Sequence, residues 1–194
     1  MTFANWITLL RLALIPVFVL FAIYYSRSLA EEQPDFGLRW ISIGAFTLAA
    51  VSDALDGWIA RRFNQHSALG KVLDPLADKG LLLAGVLTLS LSPWDFQLPV
   101  WFAVLVISRD VLIVTGFVVL SYLVGRNNVH VSPTFLGKAC TALQMSSVVA
   151  VLIGPGVLPD FVLYTLIALA SLLTFLSGVD YVRAGVHLLK THGH

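Results

Sequence analysis

The chain has 194 residues, 58% of them hydrophobic and 12% charged, with a formal net charge of +1. Soluble domains carry about 25% charged residues, so a chain with a mean hydropathy of +0.86 lacks the polar surface to cover itself in water, and a bilayer is its natural solvent. No Lys/Arg-rich run offers an electrostatic footprint for nucleic acid, so no nucleic-acid partner is expected, and the single Cys140 excludes a disulfide within the chain and reads as an inert packing residue.

The first apolar run, Trp6 to Tyr25, matches the roughly 20 residues that a spanning helix needs. Ser28-Leu29-Ala30 loosely mimics a leader cleavage site, but no Lys or Arg precedes Leu9. A secretory leader needs a positive n-region, so a retained first helix is expected. Five more apolar runs follow near 38–60, 72–91, 97–124, 133–153 and 157–182, each bounded by polar or Pro/Gly punctuation such as Ser92-Pro93-Trp94-Asp95 and Gly154-Pro155-Gly156. The expectation is an all-α, polytopic membrane protein of six transmembrane helices, with residues 1–194 forming one domain.

Lys and Arg placement sets the orientation. Arg61, Arg62 and Lys71 lie between helices two and three, Arg126 and Lys138 between four and five, and Arg183 and Lys190 toward the C-terminus. The 90–98 and 154–160 connections carry neither residue, and the 26–37 connection offsets Arg27 with Glu31, Glu32 and Asp35. The basic side is therefore expected to be cytoplasmic, with both termini on it. Trp6, Trp40, Trp58, Trp94 and Trp101 fall near helix ends, where interfacial anchoring explains them.

Against this background Asp53, Asp56, Asp74 and Asp78 stand out, within or beside predicted spans. An ionisable group inside a membrane costs several kcal/mol by most estimates and usually has a partner or a function. Asp53 and Asp56 are three apart on one helix, and Asp74 and Asp78 four apart on the next, so each pair shares a helix face. A hairpin brings the pairs together near the cytoplasmic surface. Four converging carboxylates repel unless cations neutralise them, and their hard oxygens suit Mg²⁺ or Mn²⁺. Gly57 follows Asp56 directly and allows close approach to the backbone. Ala60 lies one turn past Asp56, and Arg61, one turn past Gly57, can fork onto phosphate oxygens. These features describe a site for a nucleotide diphosphate.

The stretch Asp53-Ala54-Leu55-Asp56-Gly57-Trp58-Ile59-Ala60-Arg61, then eight residues, then Gly70-Lys71-Val72-Leu73-Asp74-Pro75-Leu76-Ala77-Asp78 resembles the signature D-x2-D-G-x2-A-R-x8-G-x3-D-x3-D of the CDP-alcohol phosphatidyltransferases without a departure. The opening Asn5-Trp6-Ile7-Thr8-Leu9-Leu10-Arg11 is also similar to the first helix of that family. The resemblance implies two divalent metals held by the four aspartates. It implies donor binding of CDP-diacylglycerol by Gly57, Ala60, Arg61, Ser67 and Gly70, and Asp78 as the general base for the acceptor hydroxyl. It further implies acceptor binding by Arg109 and Lys138, a homodimer, and an active site near the cytoplasmic face. The Asn5 to Pro16 and Leu69 to Lys79 stretches look most like phosphatidylglycerophosphate synthases, which use glycerol 3-phosphate. Ile107-Ser108-Arg109-Asp110 looks closer to the cardiolipin synthases, which use phosphatidylglycerol.

Structural explanations stand beside these. Taken singly, the acid pairs are explained by Arg61, Arg62, Lys71 and Lys79 as counter-ions, Arg109 by neutralisation with Asp110, and Lys138 by positive-inside anchoring. His66 reads as a solvated loop residue, and His187, His192 and His194 match no ligand spacing. The competing function is a small transporter using intramembrane acids as a relay. A relay spreads its acids across the bilayer depth, whereas these four cluster at one hairpin, so the enzyme is expected.

Overall fold

The computed structural model describes the backbone of residues 3–63, 70–124 and 135–192 and the side chains of residues 7–52, 76–122 and 135–186. These residues form six helices and no strand: α1 (Phe3–Ala30), α2 (Phe36–Phe63), α3 (Gly70–Leu91), α4 (Val100–Val124), α5 (Phe135–Ile153) and α6 (Asp160–His192). The expected all-α, six-helix architecture is the observed one. The longest departure is α6, which continues ten residues past the predicted end at 182, because the helix outlasts its apolar stretch. Among the described residues, four helical stretches are long and apolar enough to cross a membrane: Ile7–Ala30, Val100–Tyr122, Phe135–Ile153 and Asp160–Val186. In α2 the described apolar stretch is Phe36–Ser52.

The helices fall into two compact units, one of residues 1–98 and 148–160, the other of residues 99–147 and 161–194. In the first, α1, α2 and α3 pack on one another. Residues 31–35 are too few to let α2 run any way but back along α1. The turn is built from local hydrogen bonds. At the end of α1, Gln33 donates its backbone N–H to the Ser28 carbonyl at 3.0 Å, with Glu32 left-handed at φ 57°, a Schellman-type stop. Asp35 then caps α2 by accepting from the Gly37 N–H at 2.8 Å.

The core of this unit is aromatic and close. Phe18 and Phe46 meet edge-on with ring centroids 5.0 Å apart, a favoured geometry for aromatic quadrupoles. Gly85 of α3 makes the approach possible: a Cβ there would sit 2.7 Å from Phe46 Cε2 and 2.8 Å from Val148 Cγ1. Trp94 differs from its expected role. It is buried and packs against Tyr25 with centroids 4.8 Å apart, because Leu98 N–H bonds the Leu89 carbonyl at 3.1 Å and Gln97 bonds the Ser90 carbonyl, folding the 92–98 segment back on the end of α3. Trp40 and Trp101 are exposed, as interfacial residues are.

In the second unit, Gly116 of α4 admits the ring of Tyr181, whose hydroxyl donates to the Ile113 carbonyl at 2.9 Å. Cys140 is buried against Thr174, the packing role expected of it. Val104, Val111, Val114 and Val118 form an exposed apolar stripe along α4, a surface that suits lipid and not water.

Candidate active site

The signature divides between two helices of the first unit. Asp53, Asp56, Gly57, Ala60 and Arg61 lie in the last three turns of α2, and Gly70, Asp74 and Asp78 in the first three turns of α3. Each acid pair is thus helical, as its spacing predicts. For residues 53–63 and 70–75 the backbone alone is described, and Ser67 and His66 lie outside the described residues.

Asp78 is the signature acid whose side chain is described, and it has a partner from a third helix. Arg11 of α1 donates from Nη1 to Asp78 Oδ1 in an ion pair, and its own side chain is completely buried while that of Asp78 is 35% exposed. Arg11 lies eight residues after the start of α1 and Asp78 eight after the start of α3, both about 12 Å of helix rise from their ends. With α1 and α3 both antiparallel to α2, those ends share one side of the unit. A lone guanidinium at this depth is costly; a carboxylate across the helix boundary offsets that cost. The backbone thus carries two of the signature acids on α2 and two on α3, and the described one, Asp78, is partly open; carboxylate is the donor type that hard divalent cations take.

The second unit holds Arg109 and Lys138. Arg109 is half-buried in α4, with Nη1 2.9 Å from Asp110 Oδ1 and Nη2 donating to Ser177 Oγ at 2.8 Å. The neutralising partner anticipated for it is therefore present, while its Nε is buried without a hydrogen-bond partner among the described residues. Arg109 lines a cleft of about 320 Å³ between α4 and α6, whose walls are mostly apolar and include Leu105, Leu112, Phe175 and Val182, with Arg183 at its edge. Lys138 is exposed in the first turn of α5.

Two residues escaped the sequence reading. Arg11 was visible only as part of a family-like opening, although a lone cation inside an apolar span is itself a signal. Arg39 is the other: partly buried, it joins four segments of the first unit through Tyr25, Asp95 and the Leu152 and Ile153 carbonyls.

Comparison with known proteins agrees with the signature. A profile of the CDP-alcohol phosphatidyltransferase family matches residues 1–177. The chain is 34% identical over 184 residues to a probable phosphatidylglycerophosphate synthase of Mycobacterium tuberculosis, covering 92% of this chain and 79% of that protein. It is 31% identical over 182 residues to a CDP-diacylglycerol–glycerol-3-phosphate 3-phosphatidyltransferase of Yersinia pestis, covering 93% and 92%. It is 36% identical over 168 residues to the human cardiolipin synthase (CMP-forming), covering 79% of this chain and 51% of that protein. With its apolar spanning helices and an unbroken signature across α2 and α3, this chain is an integral membrane enzyme that belongs to the CDP-alcohol phosphatidyltransferase family.

Proposed function

We propose that the chain transfers the phosphatidyl group of CDP-diacylglycerol to glycerol 3-phosphate and releases CMP, the reaction of a phosphatidylglycerophosphate synthase. The observation that carries this reading is the fixed-spacing signature at the junction of α2 and α3, and the names of the Mycobacterium and Yersinia relatives support the acceptor. Asp53, Asp56, Asp74 and Asp78 hold two Mg²⁺ or Mn²⁺ ions, which when bound stabilise charge on the oxygens entering and leaving phosphorus. Gly57, Ala60, Ser67 and Gly70 leave room for the nucleotide, and Arg61 donates to its diphosphate. Asp78 accepts the proton of the acceptor hydroxyl. The freed oxygen bonds to the lipid-bearing phosphorus, the bond from that phosphorus to the CMP oxygen breaks, and CMP departs with the electron pair. Arg109 and Lys138 bind the acceptor's phosphate.

The site opens near the cytoplasmic face with both termini on that side, a reading supported by Arg61, Arg62 and Lys71 beside the signature. Residues 1–194 act as a single domain, since the family match runs through both compact units, and the enzyme works as a homodimer.

A second acceptor, phosphatidylglycerol, is favoured by the mostly apolar cleft beside Arg109, which suits an acyl chain next to a phosphate, and by the human cardiolipin synthase relative. An acceptor panel decides. Purified protein with labelled CDP-diacylglycerol is given each alcohol, and CMP and the lipid product are measured. CMP release dependent on glycerol 3-phosphate supports the first reading, and cardiolipin formation from phosphatidylglycerol supports the second. Release with neither rejects both.

A further inference from the structure

We propose that Arg11 is a positioning residue of this reaction, one that fixes the Asp78 carboxylate from α1; the inference rests on Asp78 being the base that takes the acceptor proton. The signature lies wholly on α2 and α3, yet the structure ties its last acid to a helix 67 residues away through an ion pair with a completely buried guanidinium. α1 thereby becomes part of the active site.

Stability alone does not account for such a pair. Replacing a buried ion pair by well-packed apolar residues is often neutral or stabilising, and Arg11 sits within the apolar span Ile7–Ala30, where a leucine would fit the local composition. What an apolar side chain cannot supply is direction. A base must be held at a fixed place relative to the hydroxyl it deprotonates, and a misplacement of about 1 Å can cost on the order of 100-fold in rate. Asp78 is 35% exposed in its side chain, so packing does not confine it on every side. The Arg11 guanidinium, planar and wholly enclosed, gives the carboxylate a stationary partner. It also places a positive charge beside the last of the four signature acids, offsetting part of the repulsion that converging carboxylates would feel. Lysine would keep the charge but lose the planar fork, so charge and direction are separable by substitution.

The test uses the purified 194-residue chain in lipid nanodiscs. Arg11→Gln, Arg11→Lys, Asp78→Asn and the double Arg11→Gln/Asp78→Asn variant are compared for turnover, for the KM of CDP-diacylglycerol and for the thermal shift produced by Mn²⁺. Asp78→Asn is expected to lower kcat about 1000-fold, within the usual range for loss of a general base. Arg11→Gln is expected to lower kcat roughly 30- to 100-fold, with the donor KM within about threefold and the Mn²⁺ shift kept. Arg11→Lys should recover part of that loss, and the double variant should turn over no more slowly than Asp78→Asn alone, because Arg11 acts through Asp78. Should Arg11→Gln fail to fold, Arg11→Lys and the double variant, which removes both charges together, carry the comparison. Near-normal kcat in either Arg11 variant, or a double variant whose losses simply multiply, overturns the proposal while leaving Asp78 as the base. Normal turnover in Asp78→Asn removes the base assignment itself, and the proposal with it.

Discussion

Arg39 and Asp95 form the polar lock of the first unit: Arg39 Nη1 lies 2.9 Å from Asp95 Oδ2, and neither side chain is more than 28% exposed. The same guanidinium donates to the Leu152 carbonyl at 3.2 Å and the Ile153 carbonyl at 2.5 Å, so it caps the C-terminus of α5, where a cation is favoured by the helix dipole. Tyr25 completes the cluster by donating its hydroxyl to Asp95 at 2.9 Å. Gly154 ends α5 at φ +75°, and a Cβ there would run into the Arg39 guanidinium.

Arg39→Met should therefore lower stability without touching the signature. Removing one partner of a fully buried pair costs about 3–5 kcal/mol; the partial exposure of Asp95 reduces that to roughly 2 kcal/mol. A thermal midpoint several degrees lower in detergent, with turnover unchanged at a permissive temperature, is the expected result. Asp95→Asn should lose less, because an amide oxygen can still accept from Tyr25. An unchanged midpoint for Arg39→Met contradicts the lock.

This lock shows where the sequence is legible and where it is not. Six apolar runs are visible because each is a continuous helix-long stretch set off by polar or Pro/Gly residues, and the four aspartates are visible because their spacing is local to two helices. Arg39, Asp95, Tyr25 and Ile153 lie in four different segments of the chain, and no periodicity links them. Trp94 shares the problem: its place at a helix end suggests an interfacial anchor, but hydrogen bonds from Leu98 and Gln97 fold its segment inward. Arg11 is intermediate. Its burial in a span could be read from the sequence, while its partnership with Asp78, 67 positions away, needed the packing of α1 on α3.

The acids of α2 make a separate prediction. Activity should vanish on exhaustive chelation and return with Mg²⁺ or Mn²⁺, since the donor set proposed for the signature is all carboxylate. Asp53→Asn and Asp56→Asn should each lower turnover about 100-fold or more, the scale of losing one electrostatic stabiliser of a transition state. Folding should survive, because removing one of several crowded like charges relieves repulsion. Turnover, helical content by circular dichroism and the Mn²⁺ thermal shift, measured together, check this. Full activity after chelation would remove the metal from the mechanism.

Thr174 anchors the second unit and carries a prediction about its polar core. Its hydroxyl donates to the Ala170 carbonyl at 2.6 Å and accepts from Gln144 Nε2 at 2.8 Å, with Cys140 Sγ 3.3 Å away. Gln144 is 2% exposed and Thr174 fully buried. Thr174→Val leaves the Gln144 amide without this acceptor. Interhelical hydrogen bonds in membrane proteins average about 0.6 kcal/mol, and the orphaned amide adds to that, so a loss of about 1 kcal/mol is expected. Adding Gln144→Leu to Thr174→Val should restore most of it. A double variant less stable than Thr174→Val alone would show that Gln144 has another stabilising role.

The last prediction concerns topology, and Cys140 makes it directly measurable. The natural cysteine is fully buried and lies against Thr174, so membrane-impermeant maleimide should leave the native chain unlabelled, and single introduced cysteines report without a cysteine-free background. Asn64→Cys and Thr191→Cys probe the predicted cytoplasmic side, and Val157→Cys the opposite one. Val157 is exposed in the short connection between α5 and α6. The positive-inside pattern predicts labelling of the first two only when the cytoplasmic face is accessible, and of the third in intact cells. Arg39, on the predicted outer side, does not weaken that expectation, because Asp95 neutralises it within the fold. Labelling of Thr191→Cys in intact cells, with Val157→Cys silent there, would invert the chain. It would also move the ends of α1 and α3 that carry Arg11 and Asp78 to the outer face.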